Sequence, residues 1–365
     1  MEPIQVRATP GYYECRVGVL QELPRLLHEG GFEKVFVISG ERSWKAAREY
    51  FPDLSAYQVA YSTYSGECSG TEIVRQAELA TIHGADLILG VGGGKVLDVA
   101  KAVGNEINKD VGLVPTLAST CAATTPLSVK YTEEGEFVTY TIFPRSTYLV
   151  LVEPEILLHS PVAYLRAGIG DTLAKWYEAR ALIEGLPSKP VPVQLAYEVA
   201  KSCRDVLVKD GEKAVHDQQN VQLSDAFIRV IETNLLSGGM VGGLGDRYGR
   251  IAGAHSIHNG LTHVQEAHTF LHGEKVAYGI LVQLVLEGEW EEVRGLFDFY
   301  KEIGLPLSLE SIGVEATNVE RVSQVIADYA TREGESIHFP ASSAVRKEEV
   351  TEAILGLEAL KVTLS

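Results

Sequence analysis

The feature that most constrains this chain is the run from Ala85 to Lys101, ADLILGVGGGKVLDVAK. An apolar stretch with β character, Ala85–Gly90, meets the glycines Gly90, Gly92, Gly93 and Gly94. It leaves them as a pattern that sets Val96, Leu97 and Ala100 on one helical face. A buried strand that turns at once into a helix belongs to an α/β arrangement, because the helix must pack back over a sheet. Glycines have no Cβ, so the backbone can approach a ligand closely and turn its N–H groups toward it. The positive end of the helix dipole then attracts anions. A pyrophosphate suits such a turn, and an ordinary glycine-rich strand–helix junction is the alternative.

Other segments fit the same frame. Lys34–Ser39, Val111–Pro115 and Thr147–Val152 are strand-like, and helical patterns such as Gly70–His83 lie between them. This alternation predicts a mostly parallel sheet with helices on both faces. Val129–Phe143, with Glu133-Glu134-Gly135 at its centre, reads as an inserted hairpin. After Pro154 the period changes to 3.6 over Asp171–Glu184, Val191–Lys209, Ser224–Leu236 and Val276–Leu286, and strand signals nearly vanish. The expected organisation is an α/β domain over 1–158 and an all-α domain over 159–365, which suits a chain of 365 residues.

A net charge of −17 argues against a nucleic-acid or anionic-membrane surface, but not against a small anion held by local cations. Cys15, Cys68, Cys121 and Cys203 are scattered and suggest neither a disulfide framework nor a zinc knuckle. The N-terminus lacks a signal-peptide pattern, and no apolar run is long enough to span a bilayer. A soluble, cytoplasmic protein is expected.

The helical half contains possible metal ligands: Asp171 in Gly168-Ile-Gly-Asp171, His255 in His255-Ser-Ile-His258, and His272 in His272-Gly-Glu-Lys. One carboxylate and two imidazoles with an open position suit a catalytic Zn²⁺ or Fe²⁺. Read singly, Asp171 could cap a helix, His255 and His258 could be hydrogen-bonded core residues, and His272 could belong to a loop.

With both signals together, the chain resembles the iron-containing, or group III, alcohol dehydrogenase superfamily and its glycerol dehydrogenase branch. The resemblance rests on Ser65–Ser69, Gly92–Lys101, Pro115–Thr120, Leu127–Tyr131, Ala167–Asp171, His255–Thr262 and His272–Gly279, in order over nearly the whole chain. It implies a Rossmann-like N-terminal domain, a helical C-terminal domain (the dehydroquinate synthase-like fold) and an active site in the cleft between them. It also implies metal ligation by Asp171, His255 and His272, and dinucleotide contacts from Gly92, Gly93, Gly94, Lys95, Asp98, Thr116, Ser119, Thr125, Leu127 and Tyr131. A dimer or octamer is the expected assembly. The residue that reads the adenosine ribose falls at Glu41. A carboxylate there accepts from ribose hydroxyls and repels a 2′-phosphate, which favours NAD, while Arg42 beside it leaves NADP open.

Two departures bear on the substrate. Where glycerol dehydrogenases carry Thr-Asp-Ala-Pro, this chain reads Thr120-Cys121-Ala122-Ala123, which loses a strong acceptor for a polyol. Ahead of His255 it reads Gly243-Leu-Gly-Asp246-Arg247, closer to the bacterial hydroxycarboxylate dehydrogenases. Arg247 could clamp a carboxylate or pair with Asp246, and Lys130 is a second cation for the clamping role. The expected activity is metal-dependent hydride transfer between NAD(P)(H) and a 2-hydroxy or 2-oxo acid, with His258, Cys121 and Arg247 at the reaction centre. Polyol oxidation, a dehydroquinate synthase-like lyase cycle and non-catalytic binding are the alternatives.

Overall fold

The computed structural model describes residues 3–340 and 344–364, with side chains described as far as Leu360. Its strands are β1 (Tyr12–Cys15), β2 (Lys34–Ser39), β3 (Gln58–Thr63), β4 (Leu87–Gly92), β5 (Asp110–Pro115), β6 (Leu127–Tyr131), β7 (Phe137–Ile142) and β8 (Leu149–Val152). Six of them form one sheet in the order β1-β8-β5-β4-β2-β3, with every pairing parallel. β6 and β7 pair antiparallel as the hairpin read from the sequence.

The helices before Pro154 are α1 (Leu23–Gly30), α2 (Glu41–Ala47), α3 (Gly70–His83) and α4 (Gly94–Glu106). They cover both faces of the sheet, so its inner strands are apolar on both sides. Val35, Val37, Leu87 and Leu89 pack with Leu23 and Leu27 of α1. Phe36, Ile38 and Ile88 point the other way, toward Ile73, Leu97 and Ala100 of α3 and α4. The chain runs outward from β2 to β3 and then returns to β4 on the far side of β2. The order in which strands are added therefore switches sides between β2 and β4, and ligands of open α/β sheets lie beyond the strand ends at such a point.

From Pro154 onward the described residues form no strand. The helices are α5 (Pro154–Leu158), α6 (Val162–Ile183), α7 (Val191–Gln219), α8 (Asp225–Glu232), α9 (Gly238–Gly245), α10 (Gly253–Leu261), α11 (His272–Leu286), α12 (Trp290–Ile303), α13 (Val319–Ala330) and α14 (Lys347–Leu364). A π-helical turn, Thr233–Ser237, joins α8 to α9. One apolar cluster continues from the sheet (Ile88, Leu97, Val150) into the helices (Ile169, Leu173, Ile257, Ile280). No described helix is long and apolar enough to cross a membrane.

Two strands, β1 and β3, lie outside the segments read from the sequence, and α6, α7 and α11 run longer than their periodic stretches. β1 and β3 carry no continuous apolar run: β1 is half-buried throughout, and β3 is a partly exposed edge strand. α6 starts at Val162, nine residues ahead of Asp171, and passes through Gly168 and Gly170. These glycines resemble helix breakers but serve as contact points, so Asp171 is an interior helical residue and not a cap.

Candidate active site

The three helices that carry Asp171, His255 and His272 cross at glycines next to those residues. A Cβ on Gly170 of α6 would overlap the Gly273 carbonyl of α11 and lie 2.9 Å from the Ala277 Cβ. One on Gly273 would overlap the Ala167 carbonyl of α6, and one on Gly279 the Ala254 carbonyl of α10. Close approach of the backbones is thus built in beside each of the three side chains. One ligand atom each from Asp171, His255 and His272 lies within 4.8 Å of the others. His272 Nε2 is 3.2 Å and His255 Nε2 is 3.5 Å from Asp171 Oδ1.

The surrounding groups fix which ring nitrogen faces inward. His255 Nδ1 lies 2.8 Å from Glu178 Oε2, and Glu178 Oε1 accepts the backbone N–H of Ala252 at 2.7 Å and of His255 at 2.9 Å. His272 Nδ1 lies 2.9 Å from His258 Nε2, His258 Nδ1 lies 3.2 Å from Asn259 Oδ1, and the Asn259 amide donates to Glu335 at 3.1 Å. With Asn259 Oδ1 as acceptor, His258 carries its proton on Nδ1 and accepts from His272 Nδ1–H. Nε2 of each ring is then the atom that faces Asp171, and it offers a lone pair there once a cation displaces any proton it carries.

Charge is concentrated here. Burial opposes ionisation of Asp171, but Lys175 one turn along α6 and the two imidazoles hold its carboxyl well below the usual range. Burial alone would depress the His255 imidazole, yet the Glu178 charge and the Asp171 hydrogen bond raise it to about 9. Burial likewise opposes ionisation of Glu178, which His255 and Lys175 keep below its ordinary value. Burial also works against the Lys175 ammonium, and Asp171 and Glu178 outweigh it. Glu178 and Lys175 escaped the sequence reading. The signal was their spacing: with Asp171 they stand at i, i+4 and i+7, on one face of α6.

The second constellation lies at the carboxyl ends of the parallel strands. Gly93 is the N-cap of α4, no side chain caps it, and the opening N–H groups of the helix have no partner within it. Glu41 is the exposed first residue of α2, directly after β2 and across the switch point from Gly92. Ser43 Oγ ties the two loops by donating to the Val91 carbonyl at 3.0 Å. Thr116 follows β5, and its N–H donates to Gly92 O at 2.9 Å. Lys95 pairs with Glu67 of the Ser65–Ser69 segment and lies 5.3 Å from the Tyr131 ring centre.

Asp98 is turned into the protein. It forms an ion pair with Lys101 at 2.8 Å and accepts the Val129 N–H of β6 at 3.1 Å. Lys101, buried, also donates to the carbonyls of Ala122 at 2.7 Å, Thr125 at 3.1 Å and Leu127. This pair pins the hairpin and the preceding loop to α4. Thr125 bonds back to Cys121 O, and Leu127 and Tyr131 begin and end β6. Ser119 is half-buried in the same loop.

The loop from Thr116 to Pro126 lies between the two constellations. Leu117, Thr120 and Ala122 press on Gly93 and Gly94. On its other side Ala118 O meets Gly168 and accepts from Asn234 Nδ2 at 3.1 Å. Cys121 and Thr172 flank Gly238, where a Cβ would lie 3.4 Å from each. Burial raises the Cys121 thiol above its ordinary value, so it is neutral. Arg247 lies in the short turn Asp246–Gly249, its guanidinium 4.9 Å from the Tyr248 ring centre. Asp246, which has a positive φ of 51°, pairs with Arg250 at 3.3 Å. Lys130 is a half-buried residue of β6.

Comparison with known proteins gives a consistent result. A family model described as iron-containing alcohol dehydrogenase matches residues 10–154. The chain is 42% identical over 340 residues to hydroxycarboxylate dehydrogenase A of Escherichia coli K12, covering 92% of this chain and 93% of that protein. It is 37% identical over 335 residues to a glycerol dehydrogenase of Citrobacter freundii, covering 90% of each. The crystal structure of a probable glycerol dehydrogenase from Sinorhizobium meliloti superposes with a TM-score of 0.86 at 32% identity, over 98% of this chain and 99% of that one.

Proposed function

The chain belongs to the iron-containing alcohol dehydrogenase family, and from this we propose that it interconverts a small 2-hydroxy acid and its 2-oxo partner by hydride transfer with NAD. Membership makes it a metal-dependent oxidoreductase linked to a nicotinamide dinucleotide. The finer assignments rest on the residues.

Asp171, His255 and His272 fit a divalent cation: three donors converge, and the outer nitrogen of each imidazole is engaged so that Nε2 faces inward. The set suits Zn²⁺ and also serves Fe²⁺; we assign Zn²⁺, and metal analysis of protein purified without added metal checks the choice. When bound, the cation acts as a Lewis acid on the substrate oxygen and the nicotinamide exchanges a hydride. The N–H groups at Gly93–Lys95 hold the pyrophosphate, and Glu41 selects the unphosphorylated ribose. His258, half-buried behind His272, accepts from His272 Nδ1–H and donates Nδ1–H to Asn259, which keeps His272 Nε2 turned toward the cation position.

The observation that carries the substrate class is the buried, neutral Cys121 on the loop against α6. The glycerol dehydrogenase pattern has aspartate at this position. A thiol offers a polyol no strong acceptor and offers an oxo acid's carboxylate no repulsion, so a cation such as Arg247 can bind that carboxylate. The test is a panel of 2-oxo acids, glycerol, dihydroxyacetone and glycolaldehyde, run with NADH or NAD and with NADPH or NADP, with Zn²⁺ or Fe²⁺ added. A higher kcat/KM for 2-oxo acids with NADH supports the reading, and preference for glycerol overturns it. Light scattering on the same preparation tests the expected dimer or octamer.

A further inference from the structure

We infer that Glu178 is a positioning residue of the metal centre: its carboxylate locks His255 in the orientation and protonation pattern in which only Nε2 can bind the cation. The inference deepens the metal-site reading above and rests on it.

Three N–H donors converge on this one side chain: Ala252 N at 2.7 Å, His255 N at 2.9 Å and His255 Nδ1 at 2.8 Å. The first two come from the start of α10, so Glu178 also sets where that helix begins. The third fixes the ring of the residue whose backbone it already holds. Main chain and imidazole of His255 are thus referenced to the same two oxygens. Because Glu178 is two turns along α6 from Asp171, those oxygens are in turn rigidly related to the carboxylate that faces the cation. The side chain is 1% exposed, so water does not offer the ring a competing partner.

The other histidine is held differently. His272 is 42% exposed in its side chain, and its Nδ1 meets a neutral imidazole, His258. A carboxylate engages Nδ1 of His255 directly, whereas His272 reaches Glu335 only through His258 and Asn259. Asp171 and His255 are the rigid part of the donor set. His272 is the arm that can adjust.

Glu178→Gln separates positioning from helix capping. The amide carbonyl can still accept the Ala252 and His255 backbone N–H groups. Its NH₂ must then face His255 Nδ1, and a ring that accepts there carries its proton on Nε2, the ligating atom. Zn²⁺ dissociation constants from competition with a chromophoric chelator, on protein stripped of metal, are expected to rise ~10–100-fold in E178Q. NADH binding followed by fluorescence should be unchanged, and the visible spectrum of the Co²⁺-substituted protein should change. Glu178→Asp keeps a carboxylate and should recover most of the affinity. H272A is the control for the underlying reading. If it binds Zn²⁺ as the parent protein does, the cation is elsewhere and the metal-site assignment falls. If H272A loses the metal but E178Q keeps it within about threefold of the parent, Glu178 only caps α10 and the inference is wrong. Should E178Q fail to fold, the Co²⁺ spectrum and affinity of E178D decide. A spectrum identical to the parent's with a loss of more than about 100-fold contradicts orientation by this carboxylate.

Discussion

Replacing Gly170 with alanine should open the candidate metal site without unfolding the protein. The added Cβ would lie 2.9 Å from the Ala277 Cβ and would overlap the Gly273 carbonyl. Carbon atoms in contact sit about 3.5–4.0 Å apart, so α6 and α11 must separate by ~0.6–1.1 Å. Asp171 and His272 adjoin the two glycines at this crossing, so their 3.2 Å spacing widens by a similar amount. Metal–ligand distances tolerate only ~0.2 Å, and a misplacement of ~1 Å at a reacting centre costs ~10²-fold in rate. Overpacking costs ~1–3 kcal/mol of stability, against a helix-propensity gain of up to ~1 kcal/mol. Zn²⁺ affinity and kcat/KM should therefore fall ~10²-fold while the protein stays folded. The control is Gly295→Ala in α12, where a Cβ meets nothing within 4 Å. Chelator competition, steady-state kinetics and thermal unfolding read the result. If G170A matches G295A in metal affinity and turnover within about twofold, the crossing does not set the site.

Three further outcomes are expected. Lys101→Met leaves Asp98 buried without its cation and should cost ~3–5 kcal/mol in urea unfolding and weaken NADH binding. D98N/K101M should recover part of this, and a loss under ~1 kcal/mol would contradict the role given to the pair. Glu41→Gln should raise the ratio of kcat/KM for NADPH over NADH by ~10-fold, since it removes the charge that repels a 2′-phosphate; an unchanged ratio argues against Glu41 as the selector. Cys121→Asp should lower the preference for 2-oxo acids over glycerol by ~10²-fold in kcat/KM ratio, and an unaltered ratio would remove Cys121 from the substrate wall.

The sequence exposed those parts whose chemistry is local. The β4–glycine–α4 junction declares itself because strand, turn and helix are contiguous, and the helical pattern over Gly70–His83 coincides with α3. The order of β2, β4, β5 and β8 in the sheet is set by long-range pairing, which no local pattern encodes. Asp171, His255 and His272 stand out as candidate metal ligands because of the family resemblance; read singly, a cap, a core residue and a loop residue are equal readings. The roles of Glu178 and Lys101 are hidden for a physical reason, even though spacing places Glu178 on the same face of α6 as Asp171. A charged residue is read as exposed unless its partners are known, and theirs come from distant segments: Ala252 and His255 for one, Ala122 to Leu127 for the other. Gly168 and Gly170 show the converse: a residue that weakens an isolated helix is required where two backbones touch.

The loop from Thr116 to Pro126 leans on the glycine turn through Leu117, Thr120 and Ala122, on α6 through Ala118 and on the start of α9 through Cys121. A loop that touches both constellations is where any coupling between them would run. Thermodynamic reciprocity then demands that a dinucleotide which tightens the hold on the cation be itself held more firmly, by the same factor, once the cation is in place.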